Sequence, residues 1–444
     1  MEAGSSLRHV VAVPYPGTGH INPMMNFCKF IAATRQDVLI TFVVTEEWFE
    51  LIRDDPKPDA IRFSTIPNVI PPAHLRAANF PGFYEAVMTK MEEPFELLLD
   101  QLKPPVDGMI GDVELRWSIG VGNRRNIPVA AFWTMSASFF FALHHLNIVA
   151  SSGRSSIGLS EKVEEISALG SSCVEDLKTV IQRTDPLVLK LALECISKVC
   201  QAQYLLFTSV YELESLIIDD LKLMFRFPIY TIGPAIPYIE LESSCSCPDY
   251  MKWLDSRPRN SVLYISLGSF LSVSRSQMDQ IVCGLKDSGV PYLWIARQEA
   301  SRLKDVCSGS GLVLPWCDQL KVLSHPAVGG FWTHCGWNST LEAVFAGVPM
   351  LAFPLFLDQY PNRTQIIEDW KIGRKVKTRA HEELVAREEV ADIVRDFMDT
   401  DGNEQREMRT RARQLGEKCR RAVAKGGSSS INLNHYLSSI IRNE

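Results

Sequence analysis

The stretch from Gly329 to Ala346 has the pattern of a turn that binds an anion. Gly329 to Thr333 predicts a buried strand, His334-Cys335-Gly336 a tight turn, and Trp337 to Ala346 a helix that Gly347 closes. Free backbone N–H groups and the positive end of the helix dipole make such a helix start attractive to anions. The sequence therefore predicts a phosphate-binding turn between this strand and this helix.

Polar side chains around the turn extend the candidate site. His334, Asn338 and Ser339 add hydrogen-bond donors at the helix start. Glu342 lies four residues after Asn338 on the same helix face, so its carboxylate could accept hydrogen bonds from a diol beside the phosphate. Asp358-Gln359 follows the next predicted strand, at the end of the strands where α/β sheets bind ligands. These residues suit a ligand that carries both a phosphate and a diol.

A histidine near the N-terminus has the chemistry of a general base. His20 follows the predicted strand Val10–Val13 and precedes a helix for which Asn22 is the expected N-cap and Pro23 the first residue. A helix start disfavours the charged imidazolium, so we expect the His20 ring to stay neutral and basic. Such a ring can remove the proton from a hydroxyl group that attacks a carbon atom.

Alternating strands and helices must position these residues, which favours parallel α/β sheets. Residues 238–250 lack a clear period and predict an interdomain linker, after which the alternation restarts. We therefore predict two Rossmann-like domains facing across a cleft, at residues 1–240 and 241–427, with a helix at 428–444 packing back on the N-terminal domain. The predicted strands are Val10–Val13, Val38–Val44, Met109–Ile110, Val129–Phe132, Val262–Leu267, Pro291–Ala296, Gly311–Pro315, Val328–Thr333 and Pro349–Pro354.

Length and composition exclude several classes of protein. The chain has 444 residues, room for two domains, and its net charge of −6 provides no basic field for nucleic acid or an anionic membrane. Its 11 cysteines form no CxxC pair, which indicates reduced thiols and a cytoplasmic protein. The N-terminus lacks the pattern of a signal peptide, and His144 and His145 interrupt the long apolar stretch Val129 to Ala150, so we expect no membrane span.

The stretch from Trp316 to Gln359 forms one continuous pattern. Its members are Trp316, Gln319, His325, Gly329, Thr333–Ser339, Glu342, Gly347-Val348-Pro349 and Asp358-Gln359. The pattern resembles the donor-binding signature of plant family-1 UDP-glycosyltransferases, and Gly19–Pro23 and Ser266–Ser269 extend the resemblance over most of the chain. The resemblance implies a GT-B fold. It also implies an inverting transfer of a hexose from a UDP-sugar to a hydroxyl or carboxyl group of a small lipophilic plant metabolite or hormone.

Carried over by position, the resemblance implies how the uridine is held. Trp316 would stack on the uracil ring while the backbone of Cys317 binds its edge. Gln319 and Glu342 would hold the ribose hydroxyls. Asp318 departs from the pattern, because many members of the family have proline there.

The resemblance also implies contacts to the rest of the donor. Glucose donors often accompany a glutamine at the position of Gln359, so the implied donor is UDP-glucose. No metal ion or cofactor is expected, because the helix dipole and His334 would stabilise the charge of the leaving UDP. The implied contacts are His334, Asn338, Ser339 and Ser269 to the diphosphate, Trp337, Asp358 and Gln359 to the sugar hydroxyls, and Thr18 and Thr134 to the sugar or the diphosphate.

The same resemblance makes His20 the general base and Asp112 the acid that orients it. Asp112 follows the short predicted strand Met109–Gly111 and would balance the charge that develops on His20. The sequence around Asp112 resembles the family only loosely, and Glu114 is a second candidate for this acid. The expected partners are a UDP-sugar and a small acceptor, and the expected state is a monomer. His325 is expected to be structural and not a ligand contact. A metal site at His325 and His334 is not expected, since no third ligand follows at a usable spacing.

Two other functions fit part of the sequence. Gly17-x-Gly19 matches part of a dinucleotide-binding fingerprint, but Asn22 occupies the third glycine position, which leaves an NAD(P)-dependent oxidoreductase as an alternative. A nucleotide-sugar-binding protein without turnover is the other alternative. The acceptor is expected near His20, in loops around 70–90 and 132–150. The aromatic residues that could line its pocket, or equally belong to the core, are Phe80, Phe83, Tyr84, Phe139 and Phe140.

Overall fold

The computed structural model describes residues 7–151, 171–242, 248–268, 273–306, 311–376 and 384–441. The chain divides into two compact units, Met1–Ile236 with Ala422–Glu444 and Pro237–Arg421. The borders fall a few residues before the predicted ones at 240 and 427. At the first border the reason is visible, because Tyr238 already stacks on Phe345 of the second unit with ring centroids 5.7 Å apart.

The first unit is built on one parallel sheet with the strand order β3-β2-β1-β4-β5-β6-β7. Its central strands are almost continuous apolar runs, as strands buried on both faces require. Four of these strands were predicted, whereas β3, β6 and β7 are short or interrupted by polar residues and gave no clear signal. The strands are β1 (Arg8–Val13), β2 (Val38–Thr45), β3 (Ile61–Ile66), β4 (Gly108–Asp112), β5 (Val129–Trp133), β6 (Tyr204–Phe207) and β7 (Ile229–Thr231).

The first helix, α1 (Thr18–Thr34), begins before Pro23, where the sequence predicted its start. The carbonyl of Gly17 accepts hydrogen bonds from the N–H groups of both His20 and Ile21 at 2.9 Å, and this turn continues into the helix. Pro23 removes one backbone hydrogen bond in the second turn without ending the helix. His20 therefore lies in the first turn of α1.

The other helices that the structure describes in the first unit are α2 (Glu46–Ile52), α3 (Phe80–Lys90), α4 (Glu92–Gln101), α5 (Arg116–Arg124), α6 (Ala137–Ser151), α7 (Ser171–Arg183), α8 (Pro186–Lys198) and α9 (Tyr211–Met224), with 3-10 turns at Ala73–Leu75 and Val199–Gln201.

The apolar stretch Val129 to Ala150 divides into β5 and most of α6. Phe139 and Phe140 on α6 are buried, and the Phe140 ring packs 5.3 Å from Trp133 and 5.4 Å from Phe207. These two aromatic residues therefore belong to the core of the unit. None of the helices in the described ranges is long and apolar enough to cross a membrane.

The second unit is built on a parallel sheet with the order β10-β9-β8-β11-β12-β13. The sequence predicted five of these strands. β13 is the exception, since it is a short and partly exposed edge strand. The strands are β8 (Val262–Ser266), β9 (Tyr292–Ile295), β10 (Gly311–Leu314), β11 (Val328–Thr333), β12 (Met350–Ala352) and β13 (Gly373–Lys375).

The helices of the second unit include the one that the phosphate-binding pattern predicts, at the predicted bounds Trp337–Ala346. The helices are α10 (Asp249–Asp255), α11 (Arg275–Ser288), α12 (Ala300–Val306), α13 (Gln319–Leu323), α14 (Trp337–Ala346), α15 (Gln359–Thr364), α16 (Arg387–Met398) and α17 (Asn403–Val423), with 3-10 turns at Tyr238–Glu242 and Arg297–Glu299 and a π-helical turn at Gln365–Asp369.

The last helix, α18 (Ser428–Ile441), packs on the first sheet. Nδ2 of Asn432 donates to the carbonyl and the hydroxyl oxygen of Thr231 at 3.0 and 2.9 Å. The buried ring of Tyr436 lies 5.6 Å from that of Tyr204 and 6.0 Å from that of Phe27. These contacts explain why the end of the chain belongs to the first unit.

Each sheet has one point where the strand order reverses, between β1 and β4 and between β8 and β11. Ligands of open parallel sheets bind beyond the carboxyl ends of the strands at such points, because the connections there diverge to opposite faces. His20 follows β1 and Asp112 ends β4, whereas His334 follows β11. Both sets of predicted site residues therefore lie at the topological switch point of their own sheet.

Candidate active site

Two neighbouring strands bring His20 and Asp112 together. Asp112 ends β4, and His20 lies in the helix that follows β1. Nδ1 of His20 is 2.9 Å from Oδ2 of Asp112, whose side chain is 2% exposed. A carboxylate accepts a hydrogen bond, so this contact places a proton on Nδ1 and leaves Nε2 as the basic nitrogen of the neutral ring.

Backbone donors hold the Asp112 carboxylate in place. The N–H of Tyr15 donates to Oδ2 at 3.2 Å, and the N–H of Glu114 donates to Oδ1 at 3.0 Å. Thr134, which follows β5, places its hydroxyl oxygen 3.1 Å from Nδ1 of His20 and is buried. Thr134 thus contacts the candidate base. The sugar or diphosphate contacts implied for Thr134 and for Thr18, the first residue of α1, stay predictions.

A second carboxylate lies beside the other ring nitrogen. Oε2 of Glu114 is 3.7 Å from Nε2 of His20, and the Glu114 side chain is 13% exposed. The sequence left Asp112 and Glu114 as alternatives for the orienting acid. In the structure Asp112 makes the hydrogen bond to Nδ1, and Glu114 lies beside Nε2.

These carboxylates change the electrostatics of His20. Burial lowers the pKa of the imidazole, but the charge and the hydrogen bond of Asp112, together with the charge of Glu114, outweigh it. The pKa of His20 is therefore raised from its ordinary value of 6.5, even though Arg76 acts in the opposite direction. From the helix start alone, the sequence predicted a lowered pKa and a neutral His20 ring. The carboxylates of Asp112 and Glu114 instead raise the pKa.

Aromatic rings of the first unit lie next to the candidate base. The ring of Tyr15 is 4.9 Å from that of His20, Tyr84 is 5.8 Å from Tyr15, and Phe80 is 5.6 Å from Tyr84. Phe83 and Tyr84 are buried, whereas Phe80 is half-buried. The aromatic residues predicted around 80–84 thus form an apolar wall near His20.

In the second unit, β11 and α14 form the turn that the sequence predicted. Gly336 is the N-cap of α14, with no side chain bonded to the first turn. Cys335 adopts a left-handed φ of 66°, and its N–H donates to Oγ1 of Thr333 at 3.1 Å. The first N–H groups of a helix have no partner within the helix, so this turn can bind an anion.

Gln319, Ser339 and Glu342 form a connected polar group beside this turn. Nε2 of Gln319 donates to Oγ of Ser339 at 2.9 Å and to the Glu342 carboxylate. The hydroxyl group of Tyr264, on β8, donates to Oε1 of Gln319 at 3.0 Å. Burial raises the pKa of Glu342 to about 7, although the hydrogen bond from Gln319 lowers it. The Glu342 carboxyl group therefore titrates near neutral pH.

The loop between β10 and α13 presents Trp316. Its side chain is 67% exposed, while that of the next residue, Cys317, is buried with Sγ 3.5 Å from the Tyr264 hydroxyl oxygen. Oδ1 of Asp318 accepts from the N–H of Lys321 at 3.2 Å and caps α13. The departure from the family pattern at Asp318 thus supplies a helix cap, and the exposed indole of Trp316 is available for stacking.

His334 lies between two glycines that make room for its ring. A Cβ atom added to Gly268 would lie 2.9 Å from Cδ2 of His334, and one added to Gly336 would lie 2.4 Å from Nε2. Gly268 also has a φ of 95°, which other residues rarely adopt. Burial lowers the pKa of His334 to about 4, so the ring is neutral at pH 7 and a hydrogen bond that it donates carries no positive charge.

The residues that the resemblance assigns to the sugar lie at the starts of two helices. Trp337 is the first residue of α14, Asp358 is the N-cap of α15, and Gln359 is the first residue of α15. Oε1 of Gln359 accepts from the N–H groups of Leu355 and Phe356 at 2.8 and 2.9 Å, so the hydrogen-bond donors of its amide are the group that a ligand can meet. Oδ2 of Asp358 accepts from Asn362 at 2.8 Å. Trp337 is buried, with its ring 6.2 Å from that of Trp370, so a contact from this residue would come from its backbone N–H.

Two members of the pattern have structural roles. A Cβ atom added to Gly329 would lie 2.1 Å from the carbonyl oxygen of Asn260, so β11 can run beside Asn260 only with glycine there. Nδ1 of His325 accepts a hydrogen bond from the N–H of Ala327 at 3.1 Å, and Nε2 of His325 lies 3.1 Å from Oδ1 of Asp255.

Ser269, which the resemblance assigns to the diphosphate, lies outside the described residues. Within the described ranges, no group of three or more His, Cys, Asp or Glu side chains is arranged to hold a metal ion.

Sequence analysis missed two residues that organise these sites and one further role. The N–H of Tyr15 donates to Asp112, and the hydroxyl group of Tyr264 donates to Gln319. Thr134 was predicted as a donor contact, but its contact with His20 was not predicted. Tyr15 and Tyr264 lie in or next to apolar strands, where a tyrosine is ordinarily a core residue. No local pattern distinguishes such a tyrosine, because its partner comes from a distant part of the chain.

Comparison with known proteins identifies the class of enzyme. The family model described as "UDP-glucoronosyl and UDP-glucosyl transferase" matches residues 176–400. UDP-glycosyltransferase 87A2 of Arabidopsis thaliana is 48% identical, with 98% of this chain and 97% of the relative covered. The 7-deoxyloganetin glucosyltransferase of Gardenia jasminoides is 30% identical, with 96% of both chains covered. The structure of Phytolacca americana UGT2 complexed with UDP-2fluoro-glucose and pterostilbene matches with a TM-score of 0.79 and 25% identity, covering 98% of this chain and 99% of the other.

The chain belongs to the plant family-1 UDP-glycosyltransferases and has their GT-B fold. It is a glycosyltransferase that uses a UDP-sugar as donor. The resemblance seen in the sequence between Trp316 and Gln359 is thereby confirmed. The family places the enzyme among the transferases and not among the oxidoreductases that the Gly17-x-Gly19 turn also allowed.

Proposed function

We propose that this enzyme transfers glucose from UDP-glucose, with inversion at the anomeric carbon, to a hydroxyl or carboxyl group of a small lipophilic plant metabolite or hormone. The observation that carries the proposal is the 2.9 Å contact between Nδ1 of His20 and Asp112, which leaves Nε2 as a base. The relative from Gardenia jasminoides is named a glucosyltransferase, and Phytolacca americana UGT2 holds a fluoroglucose analogue of the donor together with pterostilbene.

The first unit supplies the base in this proposal. Nε2 of His20 takes the proton of the acceptor hydroxyl while its oxygen forms a bond to the anomeric carbon, and the bond from that carbon to the phosphate oxygen breaks. The electron pair leaves with UDP, so one displacement inverts the configuration. Asp112 stabilises the imidazolium that forms. Thr134 holds His20 in position, and the N–H of Tyr15 holds the Asp112 carboxylate.

The second unit supplies the donor site. The exposed indole of Trp316 stacks on uracil, and the edge of the uracil meets the backbone of Cys317. Gln319 and Glu342, which are hydrogen-bonded to each other, form hydrogen bonds with the ribose hydroxyls. The N–H groups at the start of α14 and the side chains of Asn338 and Ser339 bind the diphosphate, with Ser269 as a further contact.

The sugar and the leaving group complete the donor site. The amide donors of Gln359, the carboxylate of Asp358 and the backbone of Trp337 meet the glucose hydroxyls. The family resemblance adds Thr18 and Thr134 as contacts to the sugar or the diphosphate. His334 donates a neutral hydrogen bond to the leaving UDP. We propose that the reaction needs no metal ion, because the helix dipole and these donors offset the charge of the diphosphate.

We further propose that the enzyme works as a monomer in the cytoplasm. The cysteines that the structure describes are free thiols, which suits a reducing compartment. Size-exclusion chromatography with light scattering tests the monomer. Transfer rates after dialysis against EDTA, with and without added Mg²⁺, test the independence from metal.

The central experiment is mass spectrometry of reactions that contain the purified enzyme, UDP-glucose and a panel of phenolic, terpenoid and carboxylic acceptors. The His20→Ala variant tests the base, and His435→Ala, an exposed histidine on α18, is the matched control. We expect a hexose adduct with the unaltered enzyme and the control, and none with His20→Ala, which should still bind UDP.

Three outcomes would contradict parts of this proposal. Undiminished turnover by His20→Ala would remove His20 from the role of base. An adduct formed only with another UDP-sugar would replace glucose as the donor. UDP binding without transfer or UDP-glucose hydrolysis under any condition would favour the alternative of a binding protein without turnover.

A further inference from the structure

We propose that Glu114 makes this enzyme select acceptors that present a neutral hydroxyl group and reject those that present a carboxylate. The inference rests on the proposed function and narrows its acceptor class, because a hydroxyl group yields a glucoside and a carboxylate yields a glucose ester. It follows from the position of Glu114 relative to the nitrogen of His20 that takes the proton.

Glu114 lies beside the basic nitrogen of His20. Its Oε2 is 3.7 Å from Nε2, while Asp112 occupies the opposite nitrogen, Nδ1, at 2.9 Å. A general base takes a proton over a heavy-atom distance of about 2.6–3.2 Å. An acceptor atom at that distance from Nε2 therefore lies at most about 7 Å from Oε2 of Glu114, which is within the Debye length of about 8 Å at physiological salt.

The backbone of Glu114 is held in the same turn as Asp112. The N–H of Glu114 donates to Oδ1 of Asp112 at 3.0 Å, and only 13% of the Glu114 side chain is exposed. A charge that is largely shielded from water is screened much less than a surface charge. Its effect on a bound acceptor is therefore not removed by physiological salt.

The balance of charge around His20 is negative. Asp112 and Glu114 act on the ring as anions and Arg76 acts as a cation. Burial raises the pKa of Tyr15, the aromatic neighbour, well above 10, so that side chain is neutral. Arg76 is partly engaged elsewhere, since its Nη1 donates to the carbonyl of Pro16 at 3.2 Å. A carboxylate acceptor would add a third negative charge beside these two acids. A hydroxyl acceptor adds none and can donate its proton to Nε2.

The chemistry of the two acceptor types points the same way. A hydroxyl group has to lose its proton to Nε2 as its oxygen attacks the anomeric carbon and UDP departs with the electron pair. A carboxylate already lacks that proton and gains nothing from the base. The pair of His20 and Glu114 thus assists the one acceptor type and repels the other.

The test compares two matched acceptor pairs, 2-naphthol with 2-naphthoate and 4-methylbenzyl alcohol with 4-methylbenzoate, using UDP-glucose as donor. For each pair kcat/KM is measured with the unaltered enzyme, Glu114→Gln and Glu114→Asp. Glu85→Gln, which neutralises an exposed carboxylate on α3, is the matched control. Circular dichroism melting of each variant shows whether it is folded.

We expect the unaltered enzyme to prefer the hydroxyl member, and Glu114→Gln to reduce that preference about tenfold or more, equivalent to about 1.4 kcal/mol in the relative barriers. Glu114→Asp and Glu85→Gln should keep the preference. For the hydroxyl member, Glu114→Gln should also shift the acidic limb of the pH profile to lower pH, because Glu114 raises the pKa of His20.

An unchanged preference in folded Glu114→Gln, or a preference of the unaltered enzyme for the carboxylate members, would overturn the inference. Failure of the proposed function would give a different result. If the proposed function is wrong, the unaltered enzyme will transfer glucose to neither member of either pair and to no acceptor of the wider panel, and the inference about Glu114 is then wrong as well.

Discussion

In the second unit most candidate donor residues come from one stretch of the chain, Trp316 to Gln359, whereas the first unit assembles the surroundings of His20 from separate stretches. His20 follows β1, Asp112 ends β4 with Glu114 in the turn that follows, and Thr134 follows β5. Both sites use the switch point of a parallel sheet. The proposed donor site is built mainly from a local pattern around one strand–turn–helix unit, whereas strand pairing between segments far apart in sequence assembles the surroundings of the candidate base.

The two units also differ in what shifts the pKa values of their candidate site residues. In the first unit two carboxylates raise the pKa of His20, so its proton affinity depends on partners from another strand. In the second unit burial dominates: it lowers the pKa of His334 to about 4 and raises that of Glu342 to about 7. Changes in the first unit should therefore act on the chemical step, and changes in the second on donor binding.

The largest effect is expected from Asp112→Asn. The amide cannot stabilise the imidazolium and can turn its N–H₂ group toward Nδ1, which removes the tautomer with a basic Nε2. We expect kcat to fall about 10²–10⁴-fold, by analogy with the loss of the orienting acid in a catalytic triad.

Binding of UDP by Asp112→Asn should stay unchanged, as isothermal titration calorimetry can show. Asp100→Asn, which neutralises an exposed carboxylate at the end of α4, is the control and should retain kcat. A lower UDP affinity in Asp112→Asn with an intact kcat would reverse the division of roles between the two units.

Trp316→Ala should raise the KM for UDP-glucose and leave kcat nearly unchanged. Stacking of an aromatic side chain on a base is worth about 1–3 kcal/mol, or about 5–150-fold in affinity. Because the side chain is 67% exposed, the melting temperature should hardly change. Trp316→Phe, which keeps a planar ring, should restore most of the affinity, and an effect confined to kcat would contradict the stacking role.

Uridine binding should depend on pH through Glu342. The ionised carboxylate accepts hydrogen bonds from the ribose, and burial raises the pKa of Glu342 to about 7, so affinity should rise with pH through that value. Uridine carries the ribose without phosphates that titrate. We expect a change of about 3–10-fold from about pH 6 to about pH 8 by calorimetry, which corresponds to about 0.7–1.4 kcal/mol and matches the net contribution of a typical hydrogen bond.

Glu342→Gln cannot titrate and serves as the control for this pH dependence. Its uridine affinity should be weaker at high pH and flat across the range. A slope that persists in Glu342→Gln would assign the titration to another group.

The smallest effect on catalysis is expected from Gly329→Ala, although Gly329 belongs to the donor pattern. The added carbon would lie 2.1 Å from the carbonyl oxygen of Asn260, so the strands must move apart. We expect a loss of about 1–3 kcal/mol in unfolding free energy, the usual cost of overpacking, measured by urea denaturation.

The KM of Gly329→Ala for UDP-glucose should remain close to that of the unaltered enzyme. Gly120→Ala, where the added carbon meets only the flexible Arg124 side chain at 3.4 Å, is the control for the stability measurement. A large rise in KM without loss of stability would make Gly329 part of the ligand site.

The sequence was informative where function depends on local geometry. The bounds of α14, the turn at His334-Cys335-Gly336 and the strand before it agree with the structure, because a turn residue, a helix period and a C-terminal glycine act within a few residues. The start of α1 was placed too late, since Pro23 is the preferred first residue of many helices but Gly17 here accepts the first backbone bonds.

Tertiary contacts decided what local patterns left open. Phe139 and Phe140 could equally have lined a pocket, and packing against Trp133 and Phe207 places them in the core. The raised pKa of His20 was not predictable from its own helix, because the carboxylates that raise it lie at the end of β4 and in the turn after it. Tyr264 gave no signal of its role, since its partner Gln319 comes from another segment.

By itself the sequence determined the α/β class and the family resemblance of Trp316 to Gln359, and it singled out the candidate base, because periodicity, motif spacing and the chemistry of each side chain are local properties. The tertiary structure alone decided that Asp112 bonds to Nδ1 of His20 while Glu114 lies beside Nε2. Both carboxylates are two residues apart in one turn, so their separate positions depend on how β4 pairs with β1. Distances and burial of this kind set pKa values, and they exist only after the strands have come together.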